Sequence, residues 1–274
     1  MLECVVNISD SRNRPEISAI AATAAPLVLD IHSDDDHNRS VLTLAGPAGP
    51  LVRALQELAR AVVDRLDITG HHGVHPRIGT LDVVPFVDLG GADAMAARHR
   101  FASWAGAELA LPCFLYGPER SLPEVRRRAW TDLAPDYGPD RPHPRAGAAA
   151  VGARPVLVAY NLWLAGGDLD TARRIAAAVR RPGLRTLGLA VGHRFQVSCN
   201  LIDPFRLGPG AAYDLVAARH PVEGAELVGL VPAAVLESEP AARWPELDID
   251  RSKTIEARLE QAGLDGGSFR VPAS

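Results

Sequence analysis

The sequence predicts an α+β fold of two βαββαβ subdomains, and three observations carry that expectation. Apolar residues switch between a two-residue and a 3.6-residue period in the same order twice. A stretch dense in Pro and Gly, from Ala134 to Gly147, separates the two runs. The chain has 274 residues, 47% of them hydrophobic and 23% charged, which is enough to fill one large core or two modest ones.

Taken in order, the first strand is expected near Glu3 to Asn7, then a helix near Pro15 to Ala24 and strands at Leu27 to His32 and Val41 to Ala45. Pro50, with its preset φ, opens a helix that places Leu51, Leu55, Leu58, Val62 and Leu66 on one face. A strand from Leu81 to Val87 completes the split-βαβ arrangement. A helix from Ala92 to Leu109, a strand from Pro112 to Tyr116 and a short helix around Leu122 to Trp130 follow. After the irregular loop the order restarts: strand Pro155 to Leu164, helix Asp168 to Arg180, strands Leu184 to Val191 and Phe195 to Ile202, helix Ala211 to His220, strand Leu227 to Val231. The repeat is architectural, with no sequence repeat behind it. It places a boundary close to Ala153 and predicts subdomains at residues 1–153 and 154–274. Each is a ferredoxin-like mixed or antiparallel sheet covered by helices on one face, with a cleft between the two. An amphipathic helix from Ile255 to Leu264 and a frayed end from Gly266 to Ser274 are expected to close the chain.

Composition narrows the function. A net charge of -4 provides no general attraction for nucleic acid or an anionic membrane, so an anionic ligand must be held by local arginines. The expectation is a cytoplasmic protein, without a signal peptide or a long apolar run. Its three cysteines, Cys4, Cys113 and Cys199, are widely spaced, which predicts reduced thiols rather than a disulfide framework or a cysteine metal site.

Five of the nine histidines fall between His32 and His75, three of them in Gly70-His71-His72-Gly73-Val74-His75-Pro76-Arg77-Ile78-Gly79. This glycine-punctuated loop joins a long helix to a strand, and loops held at both ends often carry catalysis. Imidazole suits proton transfer near neutral pH. Two other readings of the segment stand beside that one: solvated histidines on a surface loop, and a metal site drawing on Asp34-Asp35-Asp36-His37, although the spacing fits no common ligand pattern.

Further stretches extend the pattern: Glu3-Cys4-Val5-Val6-Asn7-Ile8-Ser9, Asn38-Arg39-Ser40-Val41, Asp82-Val83-Val84-Pro85-Phe86, Phe114-Leu115-Tyr116-Gly117, Ala134-Pro135-Asp136-Tyr137-Gly138-Pro139, Val151-Gly152-Ala153-Arg154, Ala159-Tyr160-Asn161 and Gln196-Val197-Ser198-Cys199-Asn200-Leu201-Ile202-Asp203. In this order, together with the His75 loop, they resemble the formiminotransferase family across nearly the whole chain. The resemblance implies transfer of a formimino group between N-formimino-L-glutamate and tetrahydrofolate, in histidine degradation and one-carbon metabolism. His75 aligns with the family's acid/base. Folate is expected along Gly138-Pro139-Asp140-Arg141-Pro142-His143-Pro144-Arg145-Ala146-Gly147, where Arg141 and Arg145 suit its glutamyl carboxylates. Arg39, Arg77 and Arg154 are expected to hold substrate carboxylates, and Asp136 and Tyr137 to order the folate loop. Asn7, Asn161, Gln196 and Asn200 are strand amides suited to structural hydrogen bonds or to substrate. No metal is implied, the ligands are small molecules, and a homodimer is expected. The family's Glu before the acid/base is Val74 here, and Val6, Gly70, Ala149 and Trp163 also depart from its pattern. These departures point to two alternatives: a folate-dependent formyl or formimino transferase acting on a different amine, or a folate-binding protein with little turnover.

Overall fold

The computed structural model describes residues 1–264. It contains two compact units, Met1–Arg154 and Pro155–Gly263. The first runs β1 (Leu2–Ile8), α1 (Arg14–Ala22), β2 (Val28–Asp34), β3 (Arg39–Gly46), α2 (Ala48–Arg65), β4 (Leu81–Asp88), α3 (Ala94–Glu108), β5 (Cys113–Tyr116), α4 (Leu122–Arg128) and β6 (Ala149–Ala153). Its six strands lie in the order β2-β3-β1-β4-β6-β5. The first four pair antiparallel, and β6 pairs parallel with both β4 and β5.

Local chemistry sets the helix starts. The Asn13 side chain accepts from the Glu16 amide to open α1, and Asp93 does the same for α3 through Ala96. Ser121 and Glu124 form a reciprocal capping box at α4. Leu51, Leu55, Leu58 and Val62 of α2 are buried against Leu2, Cys4, Val6, Leu42, Leu44 and Phe86, together with Ile17 and Ile20 of α1 and Phe101 of α3. A fully buried aliphatic side chain of this kind contributes roughly 1.5–3 kcal/mol. Strand alternation sends Cys113 and Leu115 into that core, while Phe114 and Tyr116 turn to the other face. There, with Val83, Ala148 and Ala150, they pack against Val125 of α4. The β4-β6-β5 portion is therefore covered on both faces, where helices on one face alone were expected. Parallel strands joined by helical crossovers require that cover.

Strand β6 was not expected at all. Its sequence, Ala149-Ala150-Val151-Gly152-Ala153, has one β-branched residue and reads as an extension of the loop. Tertiary context makes it a strand: β4 and β5 supply ladders on both sides, and small residues fit between helix-covered faces. Gly152 in particular leaves room for the Tyr116 ring, which a Cβ there would strike.

The second unit runs β7 (Val158–Leu164), α5 (Leu169–Val179), β8 (Leu184–Val191), β9 (Arg194–Leu201), α6 (Pro209–Ala217), β10 (Val222–Val228), α7 (Ala233–Ser238) and α8 (Ile255–Gln261). The sheet is antiparallel throughout in the order β10-β7-β9-β8. Strand β10 starts five residues earlier than expected, because its exposed edge tolerates Glu223 and Gly224 and takes a bulge between Val222 and Gly224. The expected frayed end, Gly266 to Ser274, lies outside the described residues. Among the described residues no helix is long and apolar enough to cross a membrane.

Candidate active site

The histidine loop lies between α2 and β4 and is built on the β2–β3 hairpin turn. There the Asp34 carboxylate accepts from the amides of Asp36 (2.9 Å) and His37 (2.8 Å), and Asn38 takes a left-handed φ of 46°. The Asn38 side chain accepts from the Ser11 amide and donates to the His72 carbonyl at 3.2 Å, tying the two loops together. Gly73 sits directly against the His37 carbonyl, where a Cβ would not fit. The Arg77 guanidinium then fixes the loop from inside, donating to the carbonyls of His71 (2.7 Å), Gly73 (3.1 Å) and His75 (3.2 Å). Arg77 is thus engaged with its own loop through both terminal guanidinium nitrogens.

His75 places Nδ1 2.8 Å from the Pro76 carbonyl oxygen. A carbonyl can only accept, so Nδ1 carries the proton and Nε2 presents a lone pair. The ring stands edge-on to His37, with centroids 5.9 Å apart. Part of the imidazole remains open to solvent, but surrounding protein and then the charges of Arg39 and Arg126 push its pKa down to about 3, against weaker opposing effects of Pro76 and Asp82. Burial and the two cations act in the same direction, so the ligand-free imidazole is neutral at pH 7.

Asp82, at the start of β4, is fully buried. One of its oxygens accepts from the Ile78 amide at 2.7 Å, while the other receives Arg39 at 2.8 Å and Arg126 of α4 at 2.7 Å. Burial opposes its ionisation, but the two guanidiniums outweigh that, and the carboxyl lies below its ordinary range. Arg39 also donates through Nε to Asn7 at 3.1 Å, next to an irregularity in the β1–β4 register between Asn7 and Ile8.

The proline-rich segment meets this loop at its far end. Gly147 bridges Gly79, the Thr80 amide donates to Ala146 at 2.9 Å, and the Ala148 amide to Ile78 at 3.0 Å. Gly147, at φ 70°, and Gly79 allow backbones to approach where side chains would collide. His143 turns inward to accept from the amides of Arg145 and Ala146, so it shapes the turn. Arg145 reaches Asp67 at 3.3 Å across an exposed surface, and Arg141 is exposed. Asp136 accepts from the Leu115 amide and from Arg120, and the Tyr137 hydroxyl meets His99 at 3.0 Å, so both residues anchor the segment. Arg154 hydrogen-bonds the buried Tyr116 hydroxyl.

Of the residues expected from the sequence, His75, Arg39, Arg77 and the end of the 138–147 segment thus come together. Asp82 and Arg126 were missed as a pair. A lone Asp in the otherwise apolar Leu81-Asp82-Val83-Val84-Pro85-Phe86-Val87 was a readable signal; Arg126 lies inside Arg126-Arg127-Arg128, where nothing local singles it out. The acidic turn Asp34–Asp36 is occupied by backbone amides and by Arg14, and no group of three or more metal-binding side chains converges among the described residues. A depression of about 370 Å³ borders the same loop, lined by Ser9, Asp10, Asn38, Asp67, Thr69 and His71 among others; His75 lies outside it.

Residues 1–154 match the model of the formiminotransferase domain, N-terminal subdomain. The chain is 34% identical over 270 residues to a glutamate formimidoyltransferase of Streptococcus pyogenes serotype M1, covering 86% of this chain and 90% of that protein. It is 31% identical over 300 residues to a glutamate formimidoyltransferase of Thermoplasma acidophilum, covering 96% and 98%. A formimidoyltransferase-cyclodeaminase of Sus scrofa is 33% identical over 276 residues, which span 86% of this chain and 51% of that longer protein. The chain belongs to the formiminotransferase family.

Proposed function

We propose that this protein is a glutamate formimidoyltransferase, moving a formimino group between N-formimino-L-glutamate and tetrahydrofolate with His75 as its proton carrier. The observation that carries the reading is the His75 tautomer: Nδ1–H is held by Pro76, and a neutral ring offers Nε2 as acceptor on a loop fixed by Arg77. A folate amine attacks the amidine carbon, forming a C–N bond while the C=N electron pair moves onto the imino nitrogen. His75 Nε2 takes the proton released by the attacking nitrogen and returns it to the glutamate nitrogen. That nitrogen leaves as the tetrahedral centre collapses and the C=N bond re-forms, so no net proton is gained or lost.

The Gly138 to Gly147 segment supplies the folate contacts in this reading, with Arg141 and Arg145 toward the glutamyl tail. The expected setting is the cytoplasm, and the expected assembly a homodimer, which light scattering checks. A second reading, transfer from a different amine, draws on Val74: it is 48% exposed beside His75, where the family carries Glu. Incubating the purified protein with tetrahydrofolate and N-formimino-L-glutamate tests both. Formation of formiminotetrahydrofolate with release of L-glutamate supports the first, transfer only from another formimino or formyl donor supports the second, and no transfer from any donor refutes both.

A further inference from the structure

Around His75, two guanidiniums share one carboxylate. Arg39 and Arg126 converge on the same oxygen of Asp82, whose other oxygen is already taken by the Ile78 amide. Asp82 is fully buried and Arg39 is 8% exposed, while the Arg126 side chain is 20% exposed. A single negative charge between two positive ones leaves an excess cation held out of bulk water. The Arg126 Nε–H adds to this, because it is buried without a hydrogen-bond partner among the described residues. A buried donor left unpaired is costly, and a cationic one more so. The polar and charged neighbours of the imidazole are Arg39 from β3, Asp82 from β4, Arg126 from α4, and, on the loops, His37 and Arg77, the last through the His75 carbonyl. Among these named groups Asp82 carries the formal negative charge.

We propose that Arg126, with Arg39, forms an anion seat beside His75 that receives a carboxylate of the amino-acid substrate. The inference rests on the reading of His75 as the reacting group and adds a residue that the sequence did not single out. Arg126 suits the role because α4 is tied down at its start and at its middle. Its capping box fixes the N-terminus, and Val125, the residue before Arg126, is buried against Phe114 and Tyr116. The guanidinium therefore approaches Asp82 from a rigid element and keeps donors to spare. A carboxylate placed there neutralises the excess charge, which favours protonation of His75 and raises its pKa from the low value of the free protein. The substrate then makes the imidazole a stronger base by binding.

The experiment is calorimetric titration of the full-length protein with L-glutamate alone, for wild type and Arg126→Gln, with folate binding measured in parallel. The expected result is at least a tenfold loss of L-glutamate affinity in Arg126→Gln, with folate affinity kept within twofold. Equal L-glutamate affinity overturns the proposal and leaves Arg126 as a structural partner of Asp82. A second measurement needs no variant: the pH titration of the His75 ring in wild type, followed by NMR with and without saturating L-glutamate. An upward shift in its pKa supports the seat, and an unchanged titration overturns it even should Arg126→Gln fail to fold. Both readouts are independent of turnover, so absence of formimino transfer would refute the functional reading without deciding this one.

Discussion

The two units share one topology and differ in what covers the sheet. In the first, the four-strand order β2-β3-β1-β4 is extended by β6 and β5, and α4 covers the face opposite the main helices. In the second, the matching order β8-β9-β7-β10 carries no extension. Leu187 on β8 is 50% exposed there, and Arg194 stacks over Trp163 at 4.1 Å on the surface. The difference shows where a charged site can be built on this fold. Arg39, Asp82 and Arg126 stay together out of water because the added layer removes solvent from them and leaves each carboxylate oxygen a partner. On the sheet without that layer, Arg194 stacks on Trp163 and pairs with Glu223 at 3.6 Å, and both of those charged side chains are about half exposed.

Four substitutions probe that contrast. His75→Ala is expected to lower formimino transfer by about 10²–10⁴-fold with the fold kept, since among the described residues the ring's hydrogen bond is to Pro76 of its own loop. Steady-state rates together with circular dichroism check it; wild-type turnover removes His75 from the reaction. Asp82→Ala, which leaves two guanidiniums facing each other, is expected to cost about 3–5 kcal/mol of stability, read from urea unfolding. A loss below about 1 kcal/mol would mean that the cluster is hydrated in solution. Gly147→Val forces a β-branched residue into φ 70° against the Ile78 carbonyl, at a cost of about 2 kcal/mol and with weaker folate binding. The smallest effect belongs to the second unit: Arg194→Ala is expected to cost less than about 1 kcal/mol and to leave transfer unchanged.

Strands with clean alternation and helices with a continuous apolar face were legible in the sequence. Leu51, Leu55, Leu58 and Val62 fall on one side of α2 as the spacing requires, and all four are buried. What escaped were elements determined by distant neighbours. The run Ala149–Ala153 carries no strand propensity of its own and is extended because β4 and β5 flank it. The site divides in the same way. His75 stood out through local crowding of histidines, and Arg39 through its motif. The partnership of Asp82 with Arg126 spans 44 residues, and nothing in the run Arg126-Arg127-Arg128 marks which arginine turns toward it. Arg77 shows what a motif leaves out: besides the carboxylate role expected of it, its guanidinium donates to three backbone carbonyls of its own loop, a local role that the sequence did not signal.

The most direct test is heteronuclear NMR of the ligand-free protein with ¹⁵N-labelled histidine, titrated between pH 5 and pH 8. A His75 signal held in the Nδ1–H form and flat across that range is the predicted result, since the ring lies near a pKa of about 3. A signal that titrates near 6.5, as an ordinary solvated imidazole does, would contradict the arrangement of Arg39, Asp82 and Arg126 around it.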